Sequence, residues 1–93
     1  MRRRQPFDLI YDNEIRTHLR FIEQKYYSLI RSTIEEQLTF EPNIETLNRK
    51  VLERPVTFGA RWELRFGPGN RFRVFYRVRE DLGKVYILAI GVK

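Results

Sequence analysis

Arginine side chains alternate with apolar ones in the segment GNRFRVFYRVR, residues 69–79, and one aromatic residue, Phe75, stands among them. The arginines of this segment are Arg71, Arg73, Arg77 and Arg79. Successive side chains of a β-strand point to opposite faces, so a strand here would place these guanidinium groups and Phe75 on one face. Guanidinium groups bind phosphate through paired hydrogen bonds, and an exposed aromatic ring can stack on a base. The segment therefore predicts a surface for a polyanion, although a merely solvated sheet face would show the same pattern.

The preceding segment, RWELRF (61–66), has the same alternation. Its polar residues are Arg61, Glu63 and Arg65, and its apolar residues are Trp62, Leu64 and Phe66. The sequence GPGN between the two segments predicts a hairpin turn, with Pro68 and Gly69 suited to the central positions of a type II turn. Because paired strands share their two faces, we expect the cations of both segments to lie on one surface.

The elements around this hairpin can be predicted from periodicity. Residues 6–11 alternate as a first strand, and apolar residues recur every three or four positions from Ile15 to Leu38, which indicates two helices. Residues 84–92 are apolar on both faces and predict an interior strand. We therefore expect an α+β, two-layer fold, β-α-α-β-β-β, with a mostly antiparallel sheet in the strand order 1-4-3-2 and both helices on one face.

The segment 43–60 has little periodicity and is predicted to be a connector. Leu47, Val51 and Leu52 are expected to attach it to the core. Lys50 lies in this connector, where a loop could place it over the sheet. His18 lies in line with Ile15 and Ile22 and is interpreted as a packed helix histidine, not as a catalytic residue.

Composition limits the classes of function. The 93 residues predict one domain, 6–93, preceded by a basic arm, 1–5. The net charge is +6 and fourteen of the eighteen cations are arginine, whereas acids gather in 35–45, which favours a polyanionic partner. The chain has no cysteine and one histidine, so we expect no disulfide, no metal and no cofactor. No apolar run reaches the ~20 residues of a membrane span and no signal peptide is evident, so a cytoplasmic protein without membrane contact is expected.

Several pieces, in this order, resemble the RelE/ParE superfamily of toxins from type II toxin–antitoxin modules. They are a first strand ending in YD, two helices, W-x-L-R, R-V-F-Y eight residues further on, and I-x-x-I-G near the end. The resemblance spans nearly all of the chain after the basic arm. It implies a RelE-like fold, an acidic antitoxin that wraps the toxin, and either cleavage of mRNA on the ribosome or, in another branch, inhibition of DNA gyrase.

The resemblance also assigns site residues. Arg73 matches the arginine that the RNA-cleaving branch uses on the scissile phosphate, while Arg65 and Glu63 stand where that branch often has lysines. Lys50 falls near positions where family members place a catalytic acid or base. RNA-cleaving relatives continue past I-x-x-I-G with basic residues and a tyrosine or histidine, whereas this sequence stops at Lys93.

Cleaving RNA without a metal requires a base for the 2′-hydroxyl, stabilisation of the phosphate charge, and an acid for the leaving oxygen. Arg73 and Arg65 could stabilise the charge. Glu63 or Lys50 would be the base, because arginine does not lose its proton in proteins. The acid would be Lys93 or Tyr76, or the chain would supply no acid. The remaining residues predicted to bind RNA are Arg61, Arg71, Phe75, Arg77, Arg79 and Lys93.

Three hypotheses follow. The first is a toxin that binds RNA and cleaves mRNA with the help of the ribosome. The second is an inhibitor without enzymatic activity that binds a protein such as DNA gyrase. The third is an inactive family member that kept the fold and the antitoxin-binding surface, which the absence of the C-terminal extension favours.

Overall fold

Five strands form one sheet in the computed structural model, which describes residues 5–54, 56 and 58–93. The elements are β1 (Asp8–Tyr11), α1 (Ile15–Leu19), α2 (Tyr27–Leu38), β2 (Arg49–Val51), β3 (Trp62–Phe66), β4 (Phe72–Arg79) and β5 (Lys84–Val92). Short 3₁₀ turns lie at Gln24–Tyr26 and Pro68–Asn70. The predicted basic arm falls outside the described residues except for Gln5. None of the helices in the described part of the chain is long and apolar enough to cross a membrane.

The strand order is β1-β5-β4-β3-β2, with β1 parallel to β5 and every other pair antiparallel. The predicted order of the four recognised strands is therefore confirmed, and β5, apolar on both faces, lies in the interior of the sheet as expected. The α+β fold class is confirmed as well. The sheet has one additional strand, β2, at the edge beside β3.

The core lies between the two helices and one face of the sheet. Its fully buried side chains include Ile34, Leu38, Leu64, Phe72, Val74, Tyr76, Val85 and Ile87. The alternation of β3 and β4 supplies Leu64, Val74 and Tyr76, and the helical period of α2 supplies Ile34 and Leu38. Burying each such side chain is worth about 1.5–3 kcal/mol, which fixes which face of the sheet meets the helices.

The helical region is divided in two, as predicted. Helix α1 ends at Leu19, and the side-chain hydroxyl of Tyr27 donates a hydrogen bond of 2.7 Å to the Leu19 carbonyl oxygen. The same carbonyl oxygen accepts a hydrogen bond of 3.0 Å from the Ile22 N–H, so both of its acceptor positions at the helix end are used. The first residue of α2 thus supports the end of α1.

The connector differs from the prediction. Leu47 is 92% exposed and Val51 is 47% exposed, so the expectation that they attach the connector to the core was wrong, whereas Leu52 is half-buried. The attachment is made by Arg49, which is only 5% exposed. Its guanidinium donates to the Gln37 carbonyl oxygen and lies 3.7 Å from the Glu41 carboxylate, and it thereby ties β2 to the end of α2.

The turn between β3 and β4 lies at Pro68 and Gly69, as the sequence predicts, and it continues as a short 3₁₀ turn in which the Arg71 N–H donates to the Pro68 carbonyl oxygen at 3.2 Å. The Asn70 N–H donates to the Gly67 carbonyl oxygen at 3.0 Å, and Gly69 has a φ of 62°. Gly67 has a φ of 84°, and a Cβ atom there would clash with the Phe72 ring. The turn fixes the register of the hairpin and thereby the positions of the arginines on it.

Candidate nucleic-acid interface

The face of the sheet opposite the helices is called the open face here. On β3 and β4 the register places Arg65 directly across from Arg73, and Glu63 directly across from Phe75. The residues that alternate with these four are buried against the helices or packed on that core. Arg65 and Arg73, one cation from each of the two predicted strands, therefore share the side of the sheet that no helix covers.

Strand β2 brings Lys50 to the same surface. Lys50 is the cross-strand partner of Glu63, and residues opposite one another on paired strands share a face. All four residues predicted to be catalytic, Lys50, Glu63, Arg65 and Arg73, consequently lie on adjacent strands of the open face. The loop placement expected for Lys50 was wrong, since the residue lies in a strand.

Glu63 forms an ion pair with Arg65. The Glu63 side chain is nearly buried, whereas that of Arg65 is about half exposed, and the Arg65 Nε donates to Glu63 Oε1. A carboxylate so deeply buried requires a charge or hydrogen-bond partner, and Arg65 provides both. Part of the positive charge of Arg65 is thereby neutralised within the protein.

Arg73 has no such partner. Its Nε is buried and has no hydrogen-bond acceptor among the described residues. Its cross-strand neighbour is another guanidinium, that of Arg65, and like charges directly opposite one another destabilise a sheet. A buried donor without an acceptor costs about 1–3 kcal/mol, and more when it is charged. An anion bound at the guanidinium of Arg73 would offset the repulsion from Arg65.

Two further arginines lie along β4. Arg77 is exposed and forms no ion pair with another described residue. Arg79 donates two hydrogen bonds to the Asp81 carboxylate, at 3.0 and 2.7 Å. The same bonds hold the pKa of Asp81 below its usual value. Arg77 is therefore more available to an added anion than Arg79.

Arg61 and Lys93 lie at the margins of this surface. Arg61 is exposed and directly precedes β3, where its N–H donates to the Tyr76 carbonyl oxygen at 3.1 Å. Lys93 is exposed and follows β5, two residues beyond Gly91, which is the cross-strand partner of Arg73. The alternation of β5 therefore favours the open face for the Lys93 side chain.

Arg71 does not belong to the open face, contrary to the prediction. Its guanidinium carbon lies 5.6 Å from the centre of the Tyr26 ring and 5.7 Å from that of Phe72, on the helix side. The reason is its backbone: with φ −73° and ψ −23°, Arg71 is in a helical conformation at the end of the turn and precedes the first residue of β4. The alternation of side chains starts only after it.

The surroundings of two aromatic residues also differ from the prediction. Phe75 lies on the open face but is not free, because the Phe58 ring packs edge-to-face on it at 5.8 Å. Tyr76 is completely buried, and its hydroxyl donates to the Pro42 carbonyl oxygen at 2.7 Å. Burial raises the pKa of Tyr76 well above its ordinary value of 10.0. Tyr76 therefore cannot act as an acid on the open face.

Two aromatic side chains, those of Phe58 and Tyr86, were not predicted from the sequence to lie on the open face. Phe58 comes from the connector, where no periodicity indicates a direction for any side chain. Tyr86 lies on β5, directly across from Arg77. A signal for Tyr86 was present, because it stands two residues after Lys84 in a strand and so shares its face.

His18 has a structural partner, in agreement with its interpretation as a packed residue. Its Nδ1 accepts a hydrogen bond of 3.1 Å from the N–H of Ile90. Strand β1 pairs with β5 only as far as Ile87, so α1 covers the edge of β5 beyond that point. In the part of the chain that the structure describes, no three His, Cys, Asp or Glu residues gather to hold a metal ion.

An apolar groove of about 370 Å³ lies on the helix side of the molecule. Its apolar lining consists of Tyr11, Ile15, Leu19, Tyr27, Ile30, Ile34 and Ile90. Arg31 and Glu35, joined by a salt bridge of 3.1 Å, lie at the same groove. Burial raises the pKa of Tyr11, and the nearby Glu35 carboxylate adds to this effect.

Two solved structures are similar to this chain. The first belongs to the RelBE2 toxin–antitoxin complex from Mycobacterium tuberculosis, with a TM-score of 0.76 and 19% identity over 96% of this chain and 93% of that one. The second is the isolated RelE toxin of E. coli, with a TM-score of 0.60 and 16% identity over 92% and 83% of the two chains. No family model and no curated protein matches the sequence. The chain thus has a RelE-type fold, as the resemblance in its sequence predicted.

Proposed function

We propose that this chain is the toxin of a type II toxin–antitoxin module, and that its open face binds RNA and cleaves mRNA. The observation that carries the proposal is the environment of Arg73. Arg73 faces a second guanidinium, that of Arg65, and forms no ion pair with another described residue, so a bound phosphate would offset the repulsion between the two cations. The RelE-type fold and the sequence W-x-L-R, R-V-F-Y around Arg73 support the same assignment.

The proposed reaction is attack of the RNA 2′-hydroxyl on the adjacent phosphorus. The bond from phosphorus to the 5′-oxygen breaks, which leaves a 2′,3′-cyclic phosphate and a free 5′-hydroxyl. Arg73 binds the phosphate oxygens and stabilises the charge that develops on them, and Arg65 assists from the opposite strand. The proton of the 2′-hydroxyl goes to a base, and the 5′-oxygen receives a proton from an acid.

The candidate residues for the base and the acid differ in their exposure on the open face. Glu63 is only 6% exposed and already accepts a hydrogen bond from Arg65, which restricts its access to a substrate hydroxyl. Lys50 is exposed and is the cross-strand partner of Glu63, which places it on the open face as the other candidate base. Lys93 is the acid that remains after Tyr76 is excluded, since it lies near the β5 partner of Arg73.

Growth and mRNA integrity together test this function. Expression of the wild-type chain in a bacterial host should arrest growth and create new mRNA 5′ ends on translating ribosomes. Arg73→Ala should abolish both effects in a protein that still folds, and Arg16→Ala on the exposed side of α1 is the matched control. A folded Arg73→Ala variant with full toxicity would reject the role of Arg73. Growth arrest with intact mRNA and halted replication would instead favour a protein target such as DNA gyrase.

We further infer that the partner is an acidic antitoxin segment with apolar residues at helical spacing. The apolar groove between α1 and α2 suits the apolar residues, and the net charge of +6 favours the acidic ones. The RelBE2 structure, a toxin–antitoxin complex, supports a partner of this class. Calorimetric titration of the protein with the product of a neighbouring acidic reading frame should show affinity that falls as salt rises. Affinity independent of salt would contradict an electrostatic contribution.

A further inference from the structure

A second pocket lies on the open face, some distance from Arg73. It is called the aromatic pocket here, has a volume of about 260 Å³, and is lined by Phe58, Gly59, Arg77, Arg79, Tyr86 and Leu88. Sites for drug-sized ligands span roughly 300–1,000 Å³. The aromatic pocket is therefore suited to one planar group rather than to a whole ligand of that size.

The chemistry of the lining is that of a nucleotide site. Phe58 is 46% exposed, and its edge-to-face contact with Phe75 holds the ring while leaving much of it open to solvent. Tyr86 stands directly across from Arg77 on the neighbouring strand. Aromatic rings held in this way, next to a guanidinium, can stack a base and bind its phosphate.

The charges around Phe58 determine on which side of the ring the phosphate of a bound nucleotide would lie. Arg77 lies on one side and forms no ion pair with another described residue, while Arg79 is already bound to Asp81. On the other side, a separate depression contains Phe58 together with Asp12 and Glu14. A phosphate attached to a base at Phe58 would therefore be directed towards Arg77 and away from these carboxylates.

The distance to Arg73 suits a single bound strand. Arg77 lies four residues after Arg73 on β4, which corresponds to about 13 Å along a strand. A few nucleotides can span this interval, so one strand of RNA could contact both arginines. The aromatic pocket would then hold a nucleotide that neighbours the one at Arg73.

We propose that the aromatic pocket is a nucleobase subsite in which one base stacks on Phe58 beside Tyr86 while Arg77 binds the adjoining phosphate. This inference rests on the proposed function, because it requires RNA on the open face. It adds base stacking to a contact that would otherwise be purely electrostatic. The protein should consequently discriminate between RNA and a strand of the same charge that has no bases.

Fluorescence anisotropy with two labelled ten-nucleotide strands tests the subsite. One is single-stranded 2′-O-methyl RNA, which lacks the 2′-hydroxyl and cannot be cleaved, and the other has the same backbone with abasic positions throughout. Phe58→Ala should weaken binding of the first strand roughly 5- to 100-fold, the range for loss of one base–aromatic stack, and leave the abasic strand unaffected. Arg77→Ala and Arg73→Ala should weaken binding of both strands.

Matched variants separate stacking from packing. Phe58→Leu keeps an apolar side chain on Phe75 but has no ring, so it should lose the discrimination just as Phe58→Ala does, whereas Phe58→Trp should keep it. Phe40→Ala is the control, since Phe40 is 48% exposed and does not line the aromatic pocket.

The outcomes are distinguishable. If Phe58→Ala and Phe58→Leu bind both strands as the wild type does, while Arg73→Ala binds neither well, the subsite is rejected and RNA binding stands. Equal loss on both strands for the Phe58 variants also rejects stacking. If the wild-type protein binds neither strand, both the subsite and the proposed function are rejected.

Discussion

Arg73 differs from the other cations of the open face because its Nε is buried without an acceptor among the described residues. Arg65 is paired with Glu63, and Arg79 is paired with Asp81. Two buried donors lack an acceptor among the described residues, Arg49 Nε beside α2 and Arg73 Nε, and only Arg73 belongs to the open face. Arg73 is therefore the arginine of the open face that is expected to contribute most to binding, because a bound anion would offset its repulsion from Arg65.

The substitution Glu63→Gln distinguishes a role of Glu63 in RNA binding from a role in RNA cleavage. The change removes a negative charge from the open face and frees Arg65, so the affinity for uncleavable 2′-O-methyl RNA should rise by about fivefold, since a unit charge about 4 Å away is worth about 1 kcal/mol in water. If Glu63 is the base, cleavage of ordinary RNA should fall by roughly 100-fold or more. Weaker binding of the uncleavable strand would show that Glu63 supports the site instead of opposing it.

The substitution Lys50→Met is the matched variant that tests whether Lys50, and not Glu63, is the base. Should cleavage fall with Lys50→Met and persist with Glu63→Gln, the base is Lys50. The two residues are direct cross-strand partners, so both changes alter the same part of the open face and differ in the sign of the charge removed.

The hairpin β3–β4 could be predicted from the sequence, because polar and apolar residues alternate in both strands and the turn contains Gly-Pro-Gly. That pattern placed Arg65 and Arg73 correctly. It misplaced Arg71, since alternation holds only where the backbone is extended and Arg71 has a helical backbone at the end of the turn. The alternation of side chains therefore does not predict the face of a residue that adjoins a turn.

Strand β2 could not be predicted because it has only three residues and is held by long-range contacts. Arg49 is buried there through bonds to the end of α2, a position that an arginine's polarity does not suggest. The same lack of local signal explains why Leu47 and Val51 were assigned to the core and why Phe58 was missed.

The aromatic pocket depends on a further feature that sequence does not reveal. The register between β4 and β5 shifts near Phe75 and Tyr76, so that Tyr76 lies across from Ile87 while Phe75 lies across from Ala89. Leu88 is thus an extra residue on β5 and lines the pocket. In a strand that is apolar on both faces, such a shift leaves no mark on the hydrophobic pattern.

Helix α1 should act as a cover for the edge of β5, and His18 tests this role. His18→Ala leaves the Ile90 N–H without its acceptor and should lower the free energy of unfolding by about 1–3 kcal/mol. His18→Asn, whose side-chain oxygen can accept the same hydrogen bond, should recover part of the loss. Urea unfolding measures both variants, and RNA affinity should not change in either. Equal stability of His18→Ala and the wild type would contradict the role.

The two faces of the sheet differ in charge and polarity. The open face carries cations and aromatic rings, whereas the helix side has an apolar groove rimmed by one ion pair. On the proposed function, the chain of 93 residues with a net charge of +6 would use separate surfaces for RNA and for a protein partner. This separation predicts that changes on one side leave binding on the other side intact.

The salt dependence of RNA binding, measured for the wild type and for Arg73→Ala, tests the central claim most directly. Each phosphate contact contributes a slope of about −0.7 to a plot of log affinity against log salt for a single strand. Three or four contacts on the open face predict a slope of about −2 to −3 for the wild type, which Arg73→Ala should make shallower by about 0.7. A wild-type affinity that does not change with salt, or an Arg73→Ala variant with the same affinity and slope as the wild type, would contradict the account.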